Sequence, residues 1–451
     1  MDDETYADIE LPVEDPITVQ AQKLNDAAMW IVEHEKDGLP TALSMLRRAL
    51  ALKPKQGETW SNLGLVLWRQ NKVEEAGQAL SLAVSLDSNR ATFHGNLGVF
   101  LGANGRFDEA RHHLQEASRI NPDNLSPQWD LALLNLRMGH WEEGLAGYDI
   151  RRAHKGPKFY PDLPAPLWRG ENLDGKTIYI QAEQGIGDRL LFSRYLAWMK
   201  ETWPTSTIKV CLYDSMTNLF WDFRHIVTLL PHGVPWPDDL DYGAYLCTLP
   251  EIHGTTPDFV PPDPGLLLKR VLTQRDNTRC NLPKPDLPSI KVGICWTGNP
   301  EQTRNLDRSI PLELMLQLTE DPRLVFYSFQ CSPGNADLKR LAAGDLICDL
   351  SKDIEAEGWV GTGMALMEMD VLVSVCTSVV HMAGVMGVPC WTMLCADPYW
   401  IWGRHGDTTP WYPGMRLFRQ RTLGDWMPVL EDVRSELSKL ADIKLSNSKE
   451  N

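Results

Sequence analysis

Apolar and small residues between about position 26 and position 150 recur with a period of 34. Asn62 and Asn96 stand one period apart, as do Gly64 and Gly98, and Ala76 is followed by Ala110 and then Gly144. Leu46, Leu80 and Leu114 repeat, and so do Ala49, Ala83 and Ala117. Pro54 and Pro122 take equivalent turn positions with Ser88 between them, while Asn104-Gly105 and Met138-Gly139 punctuate the middle of their repeats. The spacing predicts units of helix, turn and helix. Small residues let the two helices of a unit approach closely, and neither pair buries its apolar face until the next one stacks on it. About four units, the first degenerate, fill the segment.

After residue 155 the period gives way to Pro-rich text, GPKFYPDLPAPLWRGENLDGK, a linker expected to wrap against the next domain. Beyond it, short apolar runs alternate with helical stretches: TIYIQA (177–182), IKVCLY (208–213), DYGAYLCT (241–248), IKVGICW (290–296), RLVFYSF (323–329), DVLVSVC (370–376) and PCWTML (389–394). Near-continuous apolar strands separated by helices predict parallel sheets buried on both faces. The Pro-rich PKPDLPS (283–289) divides this region into two halves of similar pattern, each opening on a strand and a Gly-containing loop. The expected fold class is an α-helical repeat array followed by two Rossmann-like α/β domains with a cleft between them. The expected limits are a disordered acidic N-terminus (1–25), repeats (26–155), a first α/β half (156–285), a second half with a closing helix across the domains (286–441), and a disordered tail (442–451).

Composition narrows the partners. The chain has 451 residues, 43% of them hydrophobic, enough for more than one core. A net charge of −16 opposes tight binding to nucleic acid or an anionic membrane. No apolar run approaches the roughly 20 residues of a membrane helix, and the start MDDETYADIELPVEDP is acidic where a signal peptide is basic and then apolar. The expectation is a cytoplasmic protein without stable membrane insertion. All nine cysteines follow residue 210 and none forms a CxxC pair, which reads as reduced, mostly buried thiols rather than structural zinc ligands.

Candidate chemistry concentrates at IYIQAEQGIGDRLLFS (178–193), where a strand enters Gly185-Ile186-Gly187-Asp188 and then a helix. A dinucleotide fingerprint would place a third glycine where Leu190 stands, so that pattern is incomplete. The glycines permit a tight turn, and Asp188 falls at the positive end of the helix dipole, which favours its ionised form. As a residue type in that place, it suits either a helix cap or an exposed carboxylate at the edge where open α/β sheets build sites. Asp239-Leu240-Asp241 has the spacing of a metal-binding acid pair, but its neighbours read as a loop entering a strand.

Residues 60–89, WSNLGLVLWRQNKVEEAGQALSLAVSLDSN, resemble the tetratricopeptide repeat, whose arrays offer a concave face to peptides or proteins. The blocks AEQGIGDRLLFSRYL, VGICWTGNPEQTRNLDRSIPL, VSVCTSVVHMAGVMGVP and PWYPGMRLFRQ, in that order, resemble the heptosyltransferase-like glycosyltransferases of the GT-B fold, in the branch with N-terminal repeats; the likeness covers roughly residues 165 to 430. That resemblance implies an inverting, metal-independent transfer of sugar from a nucleotide-sugar co-substrate, with no other cofactor, to a protein or peptide docked by the repeats. A glycan or lipid-linked acceptor and an inactive binding scaffold are the alternatives, and a homo-oligomer is compatible with each. It implies Asp188 as general base beside loop glycines Gly185 and Gly187. Thr297, Asn299, Arg304, Arg308, Thr377 and Ser378 would hold the donor phosphates, His381 phosphate or sugar, and Gln330 the base or ribose. Cys376 stands where many relatives carry Asp, and a thiol accepts sugar hydroxyls poorly, which puts a heptose donor in doubt and favours the scaffold. The aromatic stretch 399–420 suits a sugar-stacking platform or a packed core.

Overall fold

The computed structural model describes residues 15–35, 37–156, 160–277, 287–302, 304–331 and 333–447. The chain divides into two compact units, residues 1–135 and 136–451.

In the first unit, helices α1 (Pro16–His34), α2 (Leu39–Leu52), α3 (Gly57–Arg69), α4 (Val73–Leu86), α5 (Ala91–Ala103) and α6 (Phe107–Ile120) form three antiparallel-type pairs, and α7 (Leu125–Met138) closes the series. The period of 34 is the recurrence of one close contact. A Cβ on Gly64 would lie 2.6 Å from Leu80 Cγ and 3.2 Å from the Ala76 carbonyl; on Gly98 it would lie 2.8 Å from Leu114 Cγ and 3.2 Å from the Ala110 carbonyl. Leu46, Leu80, Ala49, Ala83 and Ala117 are fully buried between the helices. Successive pairs are stitched by amides, Asn62 Nδ2 donating to Asn25 Oδ1 and Asn96 Nδ2 to Ser61 Oγ, both at 2.9 Å. The turns inside pairs need a left-handed residue, supplied by Asn71 (φ 59°) and, one period on, Gly105 (φ 80°). At the N-terminus, Asp15 caps α1 by accepting from the Ile17 N–H. Residues 16–25 are therefore helical where disorder was expected, and 1–14 lie outside the described residues.

The second unit begins with the end of α7, then α8 (Trp141–Tyr148) and α9 (Arg151–Lys155). Strands β1 (Thr177–Gln181), β2 (Thr207–Cys211), β3 (Thr228–Leu230) and β4 (Tyr242–Tyr245) form a parallel sheet in the order β3-β2-β1-β4. A second parallel sheet runs β10-β9-β8-β5-β6-β7, from β5 (Ile290–Cys295), β6 (Leu324–Ser328), β7 (Ile347–Asp349), β8 (Val371–Val375), β9 (Cys390–Leu394) and β10 (Met415–Arg419). Counted from β5 this is the doubly wound order 3-2-1-4-5-6, and in both sheets the order reverses beside the first strand, where loops leaving the C-terminal edge build sites. The three-residue strands β3 and β7 carried too little pattern to be expected, and the five-residue β10 was not expected either. The linker does wrap against the first sheet, Leu167 bridging Gly243 in parallel.

Three boundaries differ from expectation. The repeat segment was expected to run to 155, but α8 and α9 belong to the second unit. Trp141 stacks on Trp411 (5.4 Å between centroids, 22°), and Arg151, 1% exposed, pairs with Glu183 at 2.7 Å and Thr248 Oγ1 at 2.8 Å. The helix Met427–Asn447 continues past 441, Lys444 bonding Asp370 at 2.6 Å, so 442–447 are not a loose tail; 448–451 lie outside the described residues. That helix buries Val429, Val433 and Leu437 in the core of the second sheet rather than bridging two halves. Most of PKPDLPS also lies outside the described residues. Among the described residues no helix is long and apolar enough to cross a membrane. The eight described cysteines are free thiols, five of them buried.

Candidate functional site

The helix α10 (Ile186–Phe192) opens immediately after the β1 loop, with Gly185 at its cap and Asp188 in its first turn. The Asp188 carboxylate folds back so that Oδ2 accepts the Gly185 N–H at 3.2 Å, which makes it a helix cap. Its other oxygen is not used by the helix. Oδ1 accepts the hydroxyl of Tyr399 at 3.1 Å, from the segment after β9. Burial pushes the carboxyl up to about 6, the bonds from Tyr399 and Gly185 pull it back, and the nearby Glu183 charge adds to the rise. The acid expected to be exposed is thus half-buried, with its carboxyl pushed up to about 6.

Asp188 lies on a seam. The helix Ser378–Met386, which follows β8, packs on α10 so closely that a Cβ on Gly187 would stand 2.7 Å from His381 Cδ2. His381 is 5% exposed and its Nδ1 shares a hydrogen bond with the Tyr412 hydroxyl at 2.9 Å. Burial, with the charges of Arg194 and Arg308, drives it down to about 3, so the ring is neutral. His381 is thus a packing point of the two helices.

On the side of the second sheet, Arg308 Nη1 donates to the Cys376 carbonyl at 2.8 Å and Nε to Asn305 Oδ1 at 3.2 Å, its guanidinium pressed against Gly298. A Cβ at 298 would meet the Arg308 guanidinium and Asn305 Oδ1, so a larger residue there would push Arg308 aside. Thr297 Oγ1 bonds Ser309 Oγ at 2.8 Å and accepts Asn305 Nδ2 at 3.1 Å. Gln330 is buried and its Oε1 accepts the N–H groups of Thr297 at 3.0 Å and Trp296 at 3.3 Å. It fastens the β5 loop from within. Asn299 is exposed and caps its own turn by accepting the Glu301 N–H at 3.0 Å. Thr377 is the cap residue of Ser378–Met386, half-buried beside Ser378, with Oγ1 3.4 Å from Ser374 Oγ. Arg304 stands apart from these residues in its bonding, paired with Asp397 at 2.8 Å and Asp307 at 3.0 Å.

Cys376 lies within electrostatic reach of both Arg308 and Asp188. Its sulfur accepts the Trp402 indole N–H at 3.0 Å, and its thiol is pushed up by burial and by Asp188 while Arg308 pulls it down. The structure therefore brings Asp188, Cys376 and Arg308 to one place, with Thr297, Thr377 and Ser378 at the adjoining edges of β5 and β8. Tyr399 was missed as an individual residue, although it begins the aromatic stretch. The other aromatic residues of that stretch are buried, Trp400, Trp402, Trp411 and Tyr412 at most 2% exposed, which removes them as a stacking platform. Asp239 and Asp241 bond Lys209 and Lys176, and Asp241 also accepts the Thr177 N–H at the start of β1, the edge opposite Asp188. Among the described residues no group of three or more His, Cys, Asp or Glu side chains is arranged to hold a metal ion.

Residues 37–91 and 91–124 match family models of the tetratricopeptide repeat, so the helix pairs of that segment are tetratricopeptide repeats. The chain thus carries a tetratricopeptide-repeat array followed by an α/β region of parallel sheets. Protein FlbA of Caulobacter vibrioides is 24% identical over 441 residues, which cover 89% of this chain and 70% of FlbA. Tetratricopeptide repeat-containing protein trd-1 of Caenorhabditis elegans is 29% identical over 107 residues, 24% of this chain and 14% of its own length. Of solved structures, pilF of Pseudomonas aeruginosa matches with 21% identity and a TM-score of 0.30, covering 32% of this chain and 66% of that one.

Proposed function

We propose that the chain is a metal-independent, inverting glycosyltransferase of GT-B type whose repeats hold a protein acceptor. The observation that carries the reading is Asp188: a carboxyl at the switch-point loop of one parallel sheet, against the helix that follows β8 of the other, pushed by burial up to about 6. In the reaction, the acceptor hydroxyl attacks the anomeric carbon of the sugar as Asp188 takes its proton. The bond to the diphosphate breaks with its electron pair leaving on the nucleotide, and the anomeric centre inverts. A base near pH 6 is mostly ionised at pH 7 and still able to hold the proton it receives. Arg308 and the hydroxyls of Thr297, Thr377 and Ser378 supply the charge and donors for the diphosphate. Tetratricopeptide repeats suit the acceptor role because stacked helix pairs present an extended surface to peptides.

The experiment pairs calorimetry of uridine, guanosine, adenosine and cytidine diphosphates with mass spectrometry of nucleotide release from a panel of nucleotide sugars, for wild type and Asp188→Asn. Binding of one nucleotide with release that depends on Asp188 supports the reading; no binding at millimolar concentration and no release would end it. A binding scaffold is the second reading, favoured by the engagement of Arg308 with the Cys376 carbonyl and of His381 with Gly187, which fills the seam with the protein's own groups.

A further inference from the structure

We infer, resting on the reading of Asp188 as the base, that Tyr399 is its positioning residue and that Tyr148 of α8 holds Tyr399 in turn. The Asp188 oxygens divide the work: Oδ2 is pinned by the Gly185 N–H of its own helix, and Oδ1 is met by Tyr399, 211 residues away in sequence. Tyr399 is itself held firmly, because the two tryptophans that come after it in the turn Trp400–Trp402 are buried, one against Trp141 and the other bonded to Cys376. The Tyr148 hydroxyl is hydrogen-bonded to Tyr399 and also receives Gln184 Nε2 at 3.0 Å. Gln184 has a left-handed backbone (φ 65°), a costly conformation for a residue with a side chain, at the start of the loop that carries Asp188. The same phenol therefore braces the loop and the residue that donates to its acid.

Burial pushes the phenols, thiols and imidazole around the carboxyl away from the range between pH 5 and 8. The phenols of Tyr148, Tyr399 and Tyr412 and the thiols of Cys247 and Cys376 are pushed up and stay neutral. His381 is neutral because it is pushed down. Glu183, paired with Arg151, and Arg189 are the charges that act on Asp188. A hydroxyl donating to Oδ1 favours the ionised acid, so Tyr399 widens the pH range in which the base is available. Because Tyr399 follows β9 and Asp188 follows β1, the base is oriented only where the two sheets meet.

The test uses the full chain with 13C-labelled aspartate carboxyls, the Asp188 signal being assigned by its loss in Asp188→Asn. Tyr399→Phe, which keeps the ring, is expected to move the Asp188 midpoint upward by about one pH unit, the size of one charge-assisted hydrogen bond. Tyr148→Phe is expected to move it the same way by less, and serves alone if Tyr399→Phe does not fold. In the transfer assay, kcat/KM of Tyr399→Phe is expected to drop about fivefold at pH 6 and much less at pH 8.5. An unchanged midpoint with superimposable pH profiles would overturn the inference while leaving the transferase reading intact. A shifted midpoint in a protein that turns over no nucleotide sugar would uphold the coupling and remove the transferase reading.

Discussion

His381 lies against Gly187, with its ring Cδ2 and Nε2 2.7 Å and 3.2 Å from where a Cβ on that glycine would be. One residue comes from the helix after β8 and the other from the helix after β1, so a single missing methyl group sets how near the two sheets' site-bearing helices come. Gly187→Ala is expected to cost about 1–3 kcal/mol by overpacking. Denaturant unfolding checks this, and His381→Ala in the same chain is expected to return part of the loss; strictly additive costs would show that the two residues do not share the contact.

Asp188→Asn separates catalysis from stability. On the transferase reading it is expected to lower kcat about 10² to 10⁴-fold with nucleotide binding kept. Because the folded carboxyl holds its proton up to about pH 6, against an ordinary value of 3.8, this group's contribution to stability falls as pH rises from about 4 through 6. The Asn variant is therefore expected to melt at or above the wild-type Tm at pH 7.5, with the advantage gone near pH 4. Calorimetric scans at the two pH values decide it, and a less stable variant at pH 7.5 would refute the sign.

His381 works in the opposite direction. Unfolded, the imidazole takes a proton below its ordinary 6.5; folded, it resists down to about 3, so stability is lost as pH falls through that window. His381→Gln is expected to be less stable than wild type at pH 7.5 and to close part of that gap at pH 4.5. A gap that widens on acidification would mean the ring is already charged in the native protein.

The pair Arg151 and Glu183 tests why α9 belongs with the α/β region. Arg151→Met leaves the Glu183 carboxylate buried without its cationic partner, held by Cys247, and is expected to cost about 3–5 kcal/mol. Arg151→Met with Glu183→Gln is expected to recover a good part of this, since no lone charge is then buried. Urea midpoints of the single and double variants measure the difference.

Where the chain is cut should matter sharply. Removing residues 1–135 respects the division between the compact units and is expected to leave a soluble, folded remainder. Removing 1–150 also strips Trp141 and Tyr148 from Trp400 and Trp411, baring apolar surface. The longer truncation is expected to aggregate on gel filtration; equal behaviour of the two would show that α8 adds nothing to the second unit.

The sequence alone determined what depends on near neighbours. Gly64 meets Leu80 and Gly98 meets Leu114 within a single helix pair, so one close contact repeated every 34 residues writes itself as a period. The central strands were legible as apolar runs because both faces of each sheet are covered, and Gly185-Ile186-Gly187-Asp188 was legible as the turn into a helix. What the partners of those residues are was decided only by the tertiary structure. Tyr399 reaches Asp188 over 211 positions, Trp141 passes from the repeat pattern into the aromatic core of the second unit, and Gln330 and His381 turn inward to the protein's own groups rather than outward to a ligand. Residue type and spacing constrain which groups can bond. Which of them do is selected by the simultaneous closure of two sheets and the burial of their shared seam, and that long-range packing leaves no periodic trace in the chain.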